Sequence, residues 1–181
     1  HLSTDCVFSG KKGGYKEDDL KDAYDIYGQS KALGEVITNK HLTLRTSIIG
    51  PEIKADGEGL FHWFMKQDGS INGFTQAYWG GLTTLEFAKC IKKAIDNNLT
   101  GLVQVTNGEK ISKYELVSLF ASIWNRNITI VPFDGKTIDK SLCKSARFNF
   151  GVPGYREMLI EMKDWMDTHS DLYYTIYTDQ T

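Results

Sequence analysis

The chain has 181 residues, 41% hydrophobic, 12% aromatic and 24% charged, the make-up of a globular protein long enough to bury a core of its own. Its 21 basic and 23 acidic side chains leave a net charge of -2, so no field draws it to nucleic acid or to an anionic membrane surface. No apolar run reaches the roughly 18 residues of a membrane span, and Cys6, Cys90 and Cys143 form no C-x-x-C pair, which argues against a disulfide framework or a zinc cluster.

In chain order, residues 1–8 read as a buried strand that ends in polar Ser3-Thr4-Asp5 and then Cys6-Val7-Phe8. A polar, glycine-containing loop covers residues 9–25. A helix is predicted from about Ile26 to Asn39, with Asp25 as its cap, and a strand from Leu42 to Ile49, stopped by Gly50-Pro51. Leu60 to Lys66 reads as helical and Ile71 to Phe74 as a short strand. Two further helices are announced by capping boxes, Thr83-x-x-Glu86 and Ser112-x-x-Glu115. Strands are predicted at Leu102–Thr106 and at Ile128–Val131, the latter ended by Pro132. A closing helix carries Tyr155, Met158, Leu159, Met162, Trp165 and Met166 as a core stripe. Strands alternating with helices predict an α/β protein with a largely parallel sheet.

Phosphate-binding loops fail on inspection. Gly57-x-Gly59 meets His62 where a third glycine is required, and Gly135-Lys136-Thr137 has Ile130 in place of the first glycine of a P-loop. No G-x-S-x-G elbow is present, and the four histidines are not at metal spacing. Tyr27 and Lys31 do stand out, at i and i+4 on one helix face. An ammonium beside a phenol favours the phenolate and so makes an acid/base unit. With nine tyrosines in the chain, chance alone supplies about one such pair, so spacing proves little by itself.

Context is more specific. The pair sits in Tyr27-Gly28-Gln29-Ser30-Lys31-Ala32-Leu33-Gly34-Glu35. Upstream lies Ser3-Thr4-Asp5-Cys6-Val7-Phe8-Ser9-Gly10, and downstream Leu44-Arg45-Thr46-Ser47-Ile48-Ile49-Gly50. This order resembles the extended short-chain dehydrogenase/reductases, and within them the dTDP-4-dehydrorhamnose reductase group. The Trp79-Gly80-Gly81-Leu82-Thr83-Thr84 segment is similar too. The resemblance implies NAD(P)H-dependent reduction of a nucleotide-linked 4-keto-6-deoxy sugar, UDP- or dTDP-linked, in cytoplasmic surface-polysaccharide synthesis. It leaves monomer and homodimer open.

Carried over residue by residue, Tyr27 would protonate the carbonyl oxygen, and Lys31 would hold the nicotinamide ribose and lower the Tyr27 pKa. Thr4 would hydrogen-bond the substrate oxygen. Ser3, Thr46 and Ser47 would lie along the cofactor (NADP or NAD), while Asp5, Cys6 and Trp79 would face the sugar nucleotide. Trp79 reads more readily as a buried loop anchor, and Arg45 more readily as a structural partner than as a phosphate ligand. Cys6 follows Asp5 where the dehydratases of the superfamily place a second acid, so 4,6-dehydration is not expected. Two alternatives remain open. One is an epimerase/reductase like the GDP-fucose synthases, whose cysteine falls near Cys6. The other is a non-catalytic binding module like the methionine adenosyltransferase β subunit.

The expected division gives residues 1–50 to the remaining part of a Rossmann-type cofactor domain. Residues 51–181 form a small α/β substrate lobe, with segments of about 71–107 able to return to the sheet. The glycine-rich first turn of a dinucleotide fold is absent from this sequence. The expected context is therefore a longer protein of about 290 residues, beyond usual single-domain size, and these 181 residues alone are expected to be inactive.

Overall fold

A computed structural model describes residues 1–177. The chain opens with β1 (Leu2–Thr4), a 3-10 turn (Asp5–Val7) and, after a long loop, α1 (Ile26–Leu33). Then come β2 (Leu42–Thr46), β3 (Ile48–Ile49), α2 (Leu60–Met65), β4 (Ser70–Phe74), β5 (Ala77–Trp79) and β6 (Leu82–Thr83). The second half holds α3 (Thr84–Asp96), β7 (Gly101–Gln104), β8 (Ile111–Ser112), α4 (Lys113–Ile123), β9 (Thr129–Phe133) and β10 (Ile138–Asp139). It closes with α5 (Tyr155–Thr168) and α6 (Ser170–Tyr177).

The principal sheet is parallel, in the order β1-β2-β7. Thr4 pairs with Thr46, and Arg45 lies between Ser3 and Gln104. Its C-terminal ends therefore share one edge, the place where open α/β sheets bind ligands. Leu44 and Val103 join a large core with Phe61, Phe64, Leu116, Phe120, Met158, Leu159 and Met162, which confirms the apolar stripes of α4 and α5. Each such side chain, fully buried, is worth about 1.5–3 kcal/mol.

Several boundaries differ from expectation. The first strand is shorter than residues 1–8 because Thr4 caps the 3-10 turn, its hydroxyl accepting from the Cys6 amide at 3.2 Å. Helix α1 ends at Leu33, not Asn39; the next residues turn inward, so that Glu35 reaches the sheet and Val36 accepts from the Thr43 hydroxyl at 2.7 Å. The strand expected over Leu42–Ile49 breaks at Ser47, and β3 leaves the main sheet to pair with β6. Pro132 lies inside β9, opposite Gly73 of β4. Among the described residues β9 pairs only with β4, and an edge strand tolerates a residue that cannot donate. α6 was not foreseen in the sequence. The capping box at Ser112 is complete, Glu115 returning to the Ser112 amide at 2.9 Å. At Thr83 only the hydroxyl half is made, because Glu86 turns to Lys89 instead.

Gly28 shows how tightly α1 seats on the strand end. A Cβ there would stand 2.3 Å from the Cys6 carbonyl oxygen and 2.6 Å from Ala23 Cβ. Gly28→Ala is therefore expected to destabilise the fold by about 1–3 kcal/mol, the usual cost of forcing backbone apart. Urea unfolding measures this, and a midpoint unchanged from the parent would refute so close a contact.

Candidate active site

The site is built from the ends of β1 and β2 and the first turns of α1. Asp25 caps α1 by accepting from the Gly28 amide at 2.8 Å, and Ala23 donates to the Val7 carbonyl at 3.1 Å. These bonds, with the close approach at Gly28, fix Tyr27 beside the turn that carries Asp5 and Cys6. Tyr27 is 56% exposed, so its phenol faces open space. One turn on, the Lys31 ammonium donates to the Leu2 carbonyl at 2.5 Å, which ties α1 to β1. Thr4 is buried at the strand end and donates to Asp5 Oδ1 at 3.2 Å.

The segment of Ser3, Thr4, Asp5 and Cys6 is thus brought next to α1, which carries Tyr27 and Lys31, with Thr46 at the end of the neighbouring strand and Ser47 in the break after it. Some of these groups are already engaged. The Ser3 hydroxyl donates to Glu35 at 2.7 Å, and the Thr46 hydroxyl to the Ser47 carbonyl at 3.2 Å. Trp79 is buried, its indole N–H donating to Ser47 Oγ at 2.9 Å and its ring 5.7 Å from Tyr155. That is the geometry of an anchor under the strand end.

Arg45 is a structural partner rather than a free cation. Its guanidinium, fully buried, grips Glu35 through two bonds, Nε to Oε1 at 2.8 Å and an Nη to Oε2 at 2.7 Å. It also lies 5.0 Å over the Phe8 ring. Lys21 adds a contact to Glu35 at 3.1 Å. Glu35 belongs to the quoted helix motif, yet nothing in its spacing reveals that it binds a strand residue ten positions later.

Electrostatically the strand end is unusual. Burial pushes the Asp5 carboxyl above its ordinary range, against the opposing pull of the Lys140 ammonium. Burial, and then the Asp5 charge, push the Cys6 thiol up as well. Lys113 lines an apolar slot of about 200 Å³ together with Leu60, Trp63, Phe74 and Val117. Burial and the neighbouring Lys136 hold its ammonium below the usual lysine range. Sequence reading missed Lys113, Lys136 and Lys140, which no spacing connects. A wider groove of about 1000 Å³ runs between α3 and α5 along Lys93, Tyr155 and Glu161, but none of the motif residues lines it.

The donor set suits one end of a nicotinamide dinucleotide. An exposed phenol and an ammonium one turn apart match the hydroxyls of a ribose. The glycine-rich cradle for the pyrophosphate has no counterpart in this chain. Among the described residues no cluster of His, Cys, Asp and Glu could hold a metal, and no helix is long and apolar enough to cross a membrane.

Comparison with known proteins bears on the fold and the family of the chain. A dTDP-4-dehydrorhamnose reductase from Aggregatibacter actinomycetemcomitans is 48% identical over 52 residues, 26% of this chain and 18% of that protein. A solved dTDP-4-dehydrorhamnose reductase from Clostridium acetobutylicum matches 92% of this chain and 65% of its own, with a TM-score of 0.77 and 20% identity. One from Bacillus anthracis, solved with NADP, matches 91% and 64%, with a TM-score of 0.76 and 23% identity. These two share the α/β fold with its Rossmann-type sheet. The chain therefore spans less than two thirds of the length of these relatives. The family model of the RmlD substrate binding domain matches residues 1–142, well over half of the sequence, and the chain belongs to that family.

Proposed function

We propose that, in the whole protein, this site reduces the keto group of a nucleotide-linked 4-keto-6-deoxy sugar at the expense of NADPH or NADH, within cytoplasmic surface-polysaccharide synthesis. The observation that carries the reading is the seating of α1, which bears Tyr27 and Lys31, against β1 and the turn after it, where Thr4 ends the strand. Support comes from family membership and from the NADP-bound Bacillus anthracis relative. In this reading residues 1–50, together with β7, complete the cofactor domain, and most of the later residues form the substrate lobe.

The bound nicotinamide would supply the hydride. The chain's own residues handle the oxygen. The Tyr27 phenol points a hydrogen bond at the carbonyl oxygen where negative charge develops, joined by Thr4 Oγ1 once its hydrogen turns from Asp5 Oδ1 to the substrate, and Tyr27 Oη delivers the proton. Lys31 orients the ribose and keeps positive charge beside the phenol. Burial pushes the Asp5 carboxyl up, which works against a full negative charge beside a developing alkoxide.

The test is nicotinamide oxidation by the chain joined to its dinucleotide-binding half, with dTDP- and UDP-linked 4-keto-6-deoxy sugars as substrates. Sugar-dependent loss of reduced-nicotinamide absorbance is expected from the joined protein and none from these 181 residues alone. Tight sugar-nucleotide binding without turnover in the joined protein would replace this reading with that of a binding module.

A further inference from the structure

Residues 51–59 run from the end of β3 towards the start of α2. Their largest apolar side chain, Ile53, is 75% exposed, so burial holds this loop only weakly. It closes on itself around Glu52. The Glu52 carboxylate accepts from the Gly59 amide at 3.0 Å. A Cβ at Gly57 or at Gly59 would stand 2.6 or 2.7 Å from the same side chain. The Gly57-x-Gly59 pair, which fits no phosphate loop, is therefore there to let the chain fold over Glu52.

Two residues outside the loop tie it down. Tyr177, at the end of α6, accepts from the Glu52 amide at 2.8 Å, and its hydroxyl lies 3.0 Å from His62 Nδ1. His62, fully buried in α2, has its Nε2 3.2 Å from the Ala55 carbonyl. The same carbonyl accepts from Lys66 at 2.5 Å. A carbonyl cannot donate, so Nε2 carries the imidazole proton and Nδ1 is the acceptor. Tyr177 therefore donates to His62 while it accepts from Glu52. One directional chain of hydrogen bonds runs from the Glu52 amide through Tyr177 and His62 to Ala55, and it spans the loop.

The loop leads straight into Leu60 and Trp63, which line the apolar slot with Lys113. The Trp63 amide donates to the Gly59 carbonyl at 2.9 Å, so a shift of the loop passes directly to that wall. We propose that the Tyr177 hydroxyl is a clasp. Through Glu52 and His62 it holds residues 51–59 closed, and it thereby fixes α2 as one wall of the slot. Tyr177 is thus a positioning residue, and the effect on substrate affinity rests on the nucleotide-sugar reading. The ring itself packs 5.9 Å from Phe61. Phenylalanine at this position keeps that contact and loses only the hydroxyl.

Amide hydrogen exchange and nitrogen NMR of the imidazole test the clasp in the chain itself. His62 in the parent should show the Nε2–H tautomer. In Tyr177→Phe, exchange at the Glu52, Gly57 and Gly59 amides should quicken about tenfold, while the amides of β1, β2 and β7 keep their rates. Tyr173→Phe, one turn earlier on α6, should leave the loop as it is. In the protein joined to its dinucleotide-binding half, Tyr177→Phe should raise KM for the nucleotide sugar about tenfold and change kcat by less than about twofold.

The Nδ1–H tautomer in the parent, or loop exchange untouched by the loss of the hydroxyl, would overturn the clasp. So would an equal rise at β1, β2 and β7, which would mean that the hydroxyl supports the whole fold and not the loop. If the loop loosens while the active joined variant keeps its KM, the positioning of the slot wall is refuted and the proposed function stands. If the loop loosens and the joined parent reduces no nucleotide sugar, the clasp stands and the proposed function fails.

Discussion

Replacing Tyr27 by phenylalanine in the joined protein is expected to lower the reduction rate by about 10²–10⁴-fold, the range supplied by a positioned general acid, while sugar-nucleotide binding stays close to that of the parent. The structure makes this a clean experiment. The phenol is exposed and makes no hydrogen bond within the described residues, so its removal leaves no buried group without a partner and opens no cavity. Helix α1 keeps its cap at Asp25, its contact at Gly28 and its tie from Lys31 to β1. What is lost is the proton for the carbonyl oxygen. Steady-state kinetics then shows a fall in kcat with little change in KM, the signature of an interaction made in the transition state. Activity that survives the substitution would show that another group supplies the proton and would remove Tyr27 from the mechanism.

The part of this site that can be read from the residues alone is the part that depends on local order. Asp25 before Ile26 marks the start of α1, and the i, i+4 spacing puts Tyr27 and Lys31 on one face; both follow from helix geometry. Ser3-Thr4-Asp5 at the end of an apolar strand is likewise a local signal. What escapes is set by tertiary neighbours. Pro132 stops a strand by the usual rule, yet β9 continues through it because its free edge asks for no donor at that position. The break at Ser47 follows from the switch of partner from β1 and β7 to β6, which no alternation of side chains announces. Glu52 and Tyr177 are 125 positions apart in the chain. Only the docking of α6 brings them together.

The pair formed by Arg45 and Glu35 has the largest expected effect on stability. Both side chains are essentially inaccessible, at 1% and 0% exposure. Glu35→Gln would leave the guanidinium buried beside Phe8 without its counter-charge, and the expected loss is about 3–5 kcal/mol of unfolding free energy. Replacing both residues together, Arg45→Met with Glu35→Leu, should recover much of that loss, because the desolvation cost of two buried charges goes with their attraction. The carboxylate also dictates a pH dependence. Burial works to raise the Glu35 pKa, but hydrogen bonds from Arg45 and Ser3 outweigh it and hold the group below the ordinary glutamate range. A pKa lower in the folded than in the unfolded chain contributes stability above the unfolded value, and this is lost as pH falls through the folded one. The difference in stability between the parent chain and Glu35→Gln should therefore be full at neutral pH and shrink below about 4.5. Urea unfolding across that range measures it, and a difference independent of pH would show that the carboxylate charge is not what holds α1 to the sheet. Since α1 carries Tyr27 and Lys31, partial loosening of this pair should also reach the chemistry. In the joined protein, Glu35→Gln should lower kcat at temperatures where the fold is still intact, although Glu35 touches neither substrate nor cofactor.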